Sequence, residues 1–377
     1  MDKIIVFNES WGDAWDPFKL YRREGDESVD APEKIERMFK KRALAGIDRV
    51  LWRSGRFAYE TERYFEQDTR TKAIVDCLES IKKKMDILRW PVECAHNAGV
   101  KIYVRFDPYN LGGPPEYGYD LQAVFVKEHP EYLVVDRTLT KRHWGILEWA
   151  YPEAREYIID GLEKLVDEYD YDGVYLDTRT ECKCIDYADQ YGFNAPIVKE
   201  YLNRYGVNIL NQNFELDKWR RLRGEYLTLL FKEVKDLLSE RGKRFAVGTV
   251  RGNYVGAPIG NLYVDWQKWV NEQIINELYL DMHGWCWTTG LGAKVKGYGY
   301  LIDYADNIGL NPLEDDLKNV YEPVFKNSKC ELFIGENKLP EGRDEKLKFL
   351  EQFPFLTGLL VEGLGDDPAQ KAWWLQK

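Results

Sequence analysis

This 377-residue chain has only four histidines and six cysteines, and neither type is grouped at the spacing that metal sites require. The cysteines (Cys77, Cys94, Cys182, Cys184, Cys286, Cys330) are scattered, and no HExxH segment occurs. Cys182-Lys183-Cys184 lacks the two-residue gap of zinc knuckles and has no matching second pair. No metal or organic cofactor is therefore expected. Positive charge is also in short supply, with 53 Lys and Arg against 64 Asp and Glu, a net charge of −11. That balance argues against nucleic-acid or anionic-membrane partners, both of which need basic patches. No run of about 18 apolar residues is present, so no membrane-spanning helix is expected. The opening MDKIIVFNES lacks the basic and then apolar regions of a signal peptide. A cytoplasmic protein with reduced thiols is the expectation, and the oligomeric state is left open.

What the chain has is alternation of strand and helix, which points to a parallel sheet. Apolar runs at 3–8, 47–53, 101–107, 173–179, 244–250, 278–283, 330–335 and 358–362 read as strands. Helical patterns at 32–45, 70–98, 195–204, 217–241, 265–277, 313–327 and 343–352, and one that runs from 152 into a turn at 170–173, lie between them. Eight strands, each reached through a helix, predict an α/β fold, a (β/α)8 TIM barrel. One barrel domain over 1–377 accounts for the length, with long loop insertions at about 108–150 and 284–312 on the catalytic face.

Alternation along the strands sorts side chains into those facing the barrel axis and those facing the helices. Tyr175, Asp177 and Arg179 share one parity, with apolar Val174 and Leu176 on the other. The third strand repeats this with Tyr103, Arg105 and Asp107, and the sixth with Tyr279, Asp281 and His283. Three strands thus place an aromatic ring low in the barrel and charge above it, at the end where barrel enzymes build their sites.

Two carboxyl groups at roughly 5–5.5 Å are the requirement of a retaining glycosidase. Asp177 is the candidate nucleophile, kept ionised by Arg105 and Arg179, and Asp281 is the candidate acid/base. Asn8 and Glu9 at the first strand end are candidates for binding sugar hydroxyls, as are Asp107, His283, Glu336 and Glu362 at other strand ends, and Asp107, Glu336 and Glu362 are rival proton donors to Asp281. The excess of aromatic residues, 13 Trp and 25 Tyr, suits sugars, whose C–H faces pack on rings. Trp52 and Trp285, with Trp11, Trp144 and Trp287, are the candidate platforms, and Tyr175 lines the floor. Plainer readings stand beside these: Asp177 as a turn cap, Asp281 and His283 as an ordinary pair, and Arg53 and Arg251 as partners of nearby carboxylates. Trp90, Trp219 and Trp269 lie in helical patterns and read as core.

The run from Tyr151-Pro152-Glu153-Ala154-Arg155 through Asp172-Gly173-Val174-Tyr175-Leu176-Asp177 resembles the fourth strand of the hypothetical glycosyl hydrolase families. These are (β/α)8 proteins related to the α-galactosidase and α-amylase groupings. The stretches Tyr191–Tyr201, Arg204-Tyr205-Gly206 and Trp219–Tyr226 are similar to them too. The resemblance implies a carbohydrate substrate, Asp177 as nucleophile and, as in α-galactosidase-like members, Asp281 as acid/base. An amylase-type pair is disfavoured: Gly248-Thr249-Val250-Arg251-Gly252 has no Glu, and Tyr175 stands where an Arg is expected. A non-catalytic carbohydrate-binding barrel with a degenerate site is the alternative.

Overall fold

The structure, a computed structural model, describes residues 3–9, 30–52, 63–65, 79–109, 111, 121–178, 189–249, 251–253, 262–280, 312–336 and 339–361. Eight parallel strands close into a barrel: β1 (Ile4–Glu9), β2 (Arg49–Trp52), β3 (Lys101–Phe106), β4 (Gly173–Asp177), β5 (Arg244–Thr249), β6 (Glu277–Leu280), β7 (Glu331–Gly335) and β8 (Gly358–Val361). Each strand pairs with its sequence neighbour, and β8 returns to β1. Helices stand between successive strands, so the expected (β/α)8 architecture is the observed one.

The interior is filled by one side chain from each strand: Val6, Leu51, Tyr103, Tyr175, Ala246, Tyr279, Phe333 and Leu360. The opposite parity, including Ile102, Val104, Val174, Leu176 and Leu280, joins a larger cluster between the sheet and the helices. Strand alternation therefore sorts the described side chains as predicted. Burying each large apolar side chain contributes roughly 1.5–3 kcal/mol against conformational entropy. The two layers are thus the main stabilising term.

Several boundaries differ from expectation. The pattern at 70–98 is interrupted in its described part, where the Arg89–Asn97 helix starts anew. Asp86 accepts hydrogen bonds from the Leu88 and Arg89 amides there, and Pro91 occupies the first turn, where its missing N–H costs nothing. The helix expected at 265–277 spans only Trp266–Asn271, with Gln273 at a φ of 56° ending it. The excursion after β3 carries structure of its own. Leu121–Ala123 pairs with Arg63–Phe65, and Leu133–Val135 pairs with Arg142–Leu147. Asn194 pins this second pair, accepting from the Val135 amide and donating to the Leu133 carbonyl. Among the described residues no helix is long and apolar enough to cross a membrane.

Candidate functional site

At the carboxyl ends of β1, β3 and β4 three polar side chains converge on one guanidinium. Arg105 donates through Nη2 to Asp177 Oδ2 at 2.5 Å, through Nη1 to Asn8 Oδ1 at 2.5 Å and through Nε to Asp107 Oδ1 at 3.2 Å. Arginine suits this position because its planar fork serves several acceptors at once and keeps its charge when buried. Arg105, Asp107 and Asp177 are all buried. Burial strengthens the Coulomb attraction within such a group, and it makes removing any one partner costly.

Backbone geometry holds Asp177 in this arrangement. The Thr178 amide and Thr178 Oγ1 both donate to the Gly248 carbonyl, at 3.0 and 2.9 Å. These bonds continue the β4–β5 ladder one residue beyond Asp177, whose register partner is Gly248. Below the carboxylate lies Tyr175, fully buried, with the Arg105 guanidinium carbon 5.8 Å from its ring centroid. Tyr175 meets Tyr279 edge to face at 5.1 Å and 89°, and Tyr279 stacks on Phe333 at 4.4 Å.

A second charged cluster closes the amino-terminal end of the barrel. Glu277 accepts from Arg49 Nη1, from Arg244 Nε at 2.5 Å, from Tyr103 at 2.7 Å and from Tyr279 at 2.9 Å. Burial, and next the Glu277 charge, push the Tyr103 and Tyr279 hydroxyls up, so both remain donors. Glu331 lies 2.9 Å from Arg244 Nη2 and is raised by burial first and by Glu277 second.

The structure brings together Asn8, Arg105, Asp107, Tyr175 and Asp177 of the expected site residues. Two others lie elsewhere. Trp52 is fully buried in the layer between sheet and helices, its ring 5.9 Å from Phe39, because its parity on β2 is that of Val50 and points away from the axis. It packs in the core rather than at the mouth. Glu336 follows β7 and pairs with Lys346 Nζ of the next helix at 2.6 Å. Arg251 pairs with Asp316 at 3.1 Å, in line with its plainer reading. Trp219 and Trp269 are core, with their indole N–H groups bonded to the Gly192 carbonyl and Thr228 Oγ1.

Arg179, Asp281, His283, Trp285 and Glu362 lie outside the described residues, as do Trp11, Arg53 and Trp287. The same holds for the side chains of Glu9 and Trp144. Among the described residues no group of three or more His, Cys, Asp or Glu side chains is arranged to hold a metal ion.

One feature of the site escaped sequence reasoning: the small inner face of β5, where Ala246 and Gly248 sit at the parity of Arg244. A β-carbon on Gly248 would lie 1.8 Å from the Tyr175 hydroxyl oxygen. The signal was present in the run of small residues at one parity of a central strand, where glycine marks close approach.

Comparison with known proteins agrees with the fold. The glycosyl hydrolase YngK of Bacillus subtilis (strain 168) is 26% identical over 244 residues, which cover 59% of this chain and 42% of that protein. The chain thus matches less than half the length of this curated relative. The fold is similar to the β-galactosidase of the psychrophilic Marinomonas ef1, with TM-score 0.54 and 13% identity over 95% of this chain and 53% of that one. It is also similar to the β-amylase catalytic domain of Paenibacillus polymyxa, with TM-score 0.52 and 9% identity over 95% of this chain and 91% of that one. At such identities the likeness speaks for the fold alone. The sequence profile of the glycosyl hydrolase-like 10 family matches residues 47–290, more than half of the chain, and this protein belongs to that family.

Proposed function

We propose that this chain is a glycoside hydrolase that cleaves an O-glycosidic bond in an oligo- or polysaccharide by a retaining mechanism. In this reading residues 1–377 form one barrel domain. The observation that carries the proposal is the Arg105–Asp177 contact at the carboxyl end of β4, on the axis side of the barrel. A cation touching the carboxylate favours its ionised form, which a nucleophile requires. Asp177 attacks the anomeric carbon as the leaving oxygen takes a proton from Asp281. Asp281 then removes a proton from water, and that water releases the sugar from Asp177. Asp281 is two residues beyond Tyr279, an axis-facing residue that contacts Tyr175 beneath Asp177. Asn8 and Asp107 are placed to accept from substrate hydroxyls as well as from Arg105.

Asp177→Ala and Asp281→Ala proteins, assayed on a broad panel of aryl glycosides and oligosaccharides, should each lose turnover by about 10³-fold or more. Turnover is compared per folded molecule, because removing the buried Asp177 partner of Arg105 also costs stability. A fully active Asp177→Ala enzyme would end the proposal. The burial of Asp177 against Arg105 also suits a second reading, a carbohydrate-binding barrel whose catalytic pair has degenerated. Sugar binding by calorimetry without hydrolysis of any member of the panel would select it.

A further inference from the structure

We infer that Tyr175, seated in the notch that Gly248 leaves on β5, is a positioning residue that sets how Arg105 meets Asp177. The inference rests on the reading of Asp177 as the nucleophile, and it begins from a volume that only glycine leaves open. A β-carbon at 248 would stand 1.8 Å from the Tyr175 hydroxyl oxygen and 2.5 Å from its ring carbon Cζ. No side chain tolerates such distances, so the phenol occupies space that any other residue at 248 would fill. Tyr175 is in register with Ala246, whereas Gly248 is in register with Asp177. The phenol therefore climbs along β5 until its tip reaches the register level of the Asp177 backbone.

The ring is braced on both flanks. On one side Tyr279 meets it edge to face at 5.1 Å, and the Tyr279 hydroxyl is itself held by Arg49 at 2.8 Å and Glu277 at 2.9 Å. On the other side stands Arg105, the register partner of Tyr175 across β3 and β4, with its guanidinium carbon 5.8 Å from the ring centroid. An arginine over an aromatic face is attracted to it, and it cannot drop toward a floor that is already filled. Arg105 is thus confined between the Tyr175 ring below and Asn8, Asp107 and Asp177 above. A shift of the ring shifts the guanidinium, and with it the contact to Asp177. The same strand position where related amylase-like barrels are expected to carry an arginine here carries the support for an arginine from the neighbouring strand.

The test uses the full chain and two readouts. The first is the side-chain ¹⁵N signal of Arg105, assigned by its loss in Arg105→Lys. The second is the pH profile of kcat and KM on whichever aryl glycoside of the panel the wild type cleaves. Gly248→Ala should shift the Arg105 signal, lower kcat by about 10- to 100-fold with KM little changed, and move the acidic limb of the profile to higher pH. Tyr175→Phe, close in shape, should move both readouts the same way by less. If Gly248→Ala does not fold, Tyr175→Phe decides alone. An unmoved Arg105 signal in Tyr175→Phe would overturn the inference, leaving Tyr175 as core. A moved signal in a protein without Asp177-dependent hydrolysis would support the positioning and overturn the proposed reaction. An unmoved signal with that hydrolysis intact would do the reverse.

Discussion

The barrel holds two charged clusters on one axis, built from the same ingredients and finished differently. At the lower end, Glu277 is completely buried and is met by four donors from four strands, two arginines and two tyrosines. A carboxylate so saturated has no lone pair left for a substrate, and its surroundings read as stability. At the upper end the stoichiometry is inverted: a single arginine serves Asn8, Asp107 and Asp177. These acceptors meet at the end of the barrel where loops can admit a ligand. What separates the structural cluster from the proposed site here is the strand end, since buried acid and base occur in both.

The contrast can be broken or sharpened by substitution. The largest expected effect is on stability from below: Glu277→Gln removes the carboxylate that Arg49 and Arg244 share and should cost about 3–5 kcal/mol in chemical denaturation. Activity per folded molecule should remain. A Glu277→Gln protein as stable as the wild type would remove the distinction between the two ends. Next comes Arg105→Lys, where one compact ammonium replaces a fork that reaches three acceptors. Turnover should fall by about 10- to 100-fold, and a kinetically unchanged Lys variant would show that charge alone suffices. The smallest effect concerns Glu331. Its folded pKa is raised, by burial and then by Glu277, so the folded state binds its proton more tightly than the unfolded chain does. The stability this contributes is complete below the ordinary glutamate range and fades as pH rises through the raised value. Glu331→Gln should therefore gain in melting temperature relative to wild type on going from pH 4 to pH 7. The gain should be worth less than about 1 kcal/mol, because water screens a group that is part exposed. A difference that shrinks over that pH range would contradict the assigned direction.

Much of this was legible in advance. Strand alternation separated Tyr103, Arg105 and Tyr175 from Ile102, Val104 and Val174 because a period of two admits only two faces, and the barrel core takes the one that the helices do not. Trp52 shows where position along a strand misleads: it ends a strand, but it shares the outward parity of Val50, and parity decides. Glu336 went the same way, captured by Lys346 from a helix ten residues later in the chain. The helix expected across 70–98 ignored what one aspartate and one proline do locally, at Asp86 and Pro91.

The sequence by itself determined the number of strands, their order and the face on which each side chain lies, since these follow from local periodicity and chain connectivity. Only the tertiary structure decided which charge meets which. Arg105 reaches Asp177 because β3 and β4 are paired in a particular register, and Tyr175 fits beneath them because β5 happens to be bare at Gly248. Such contacts depend on the stagger between strands that are distant in sequence, and closure of the barrel is what sets that stagger.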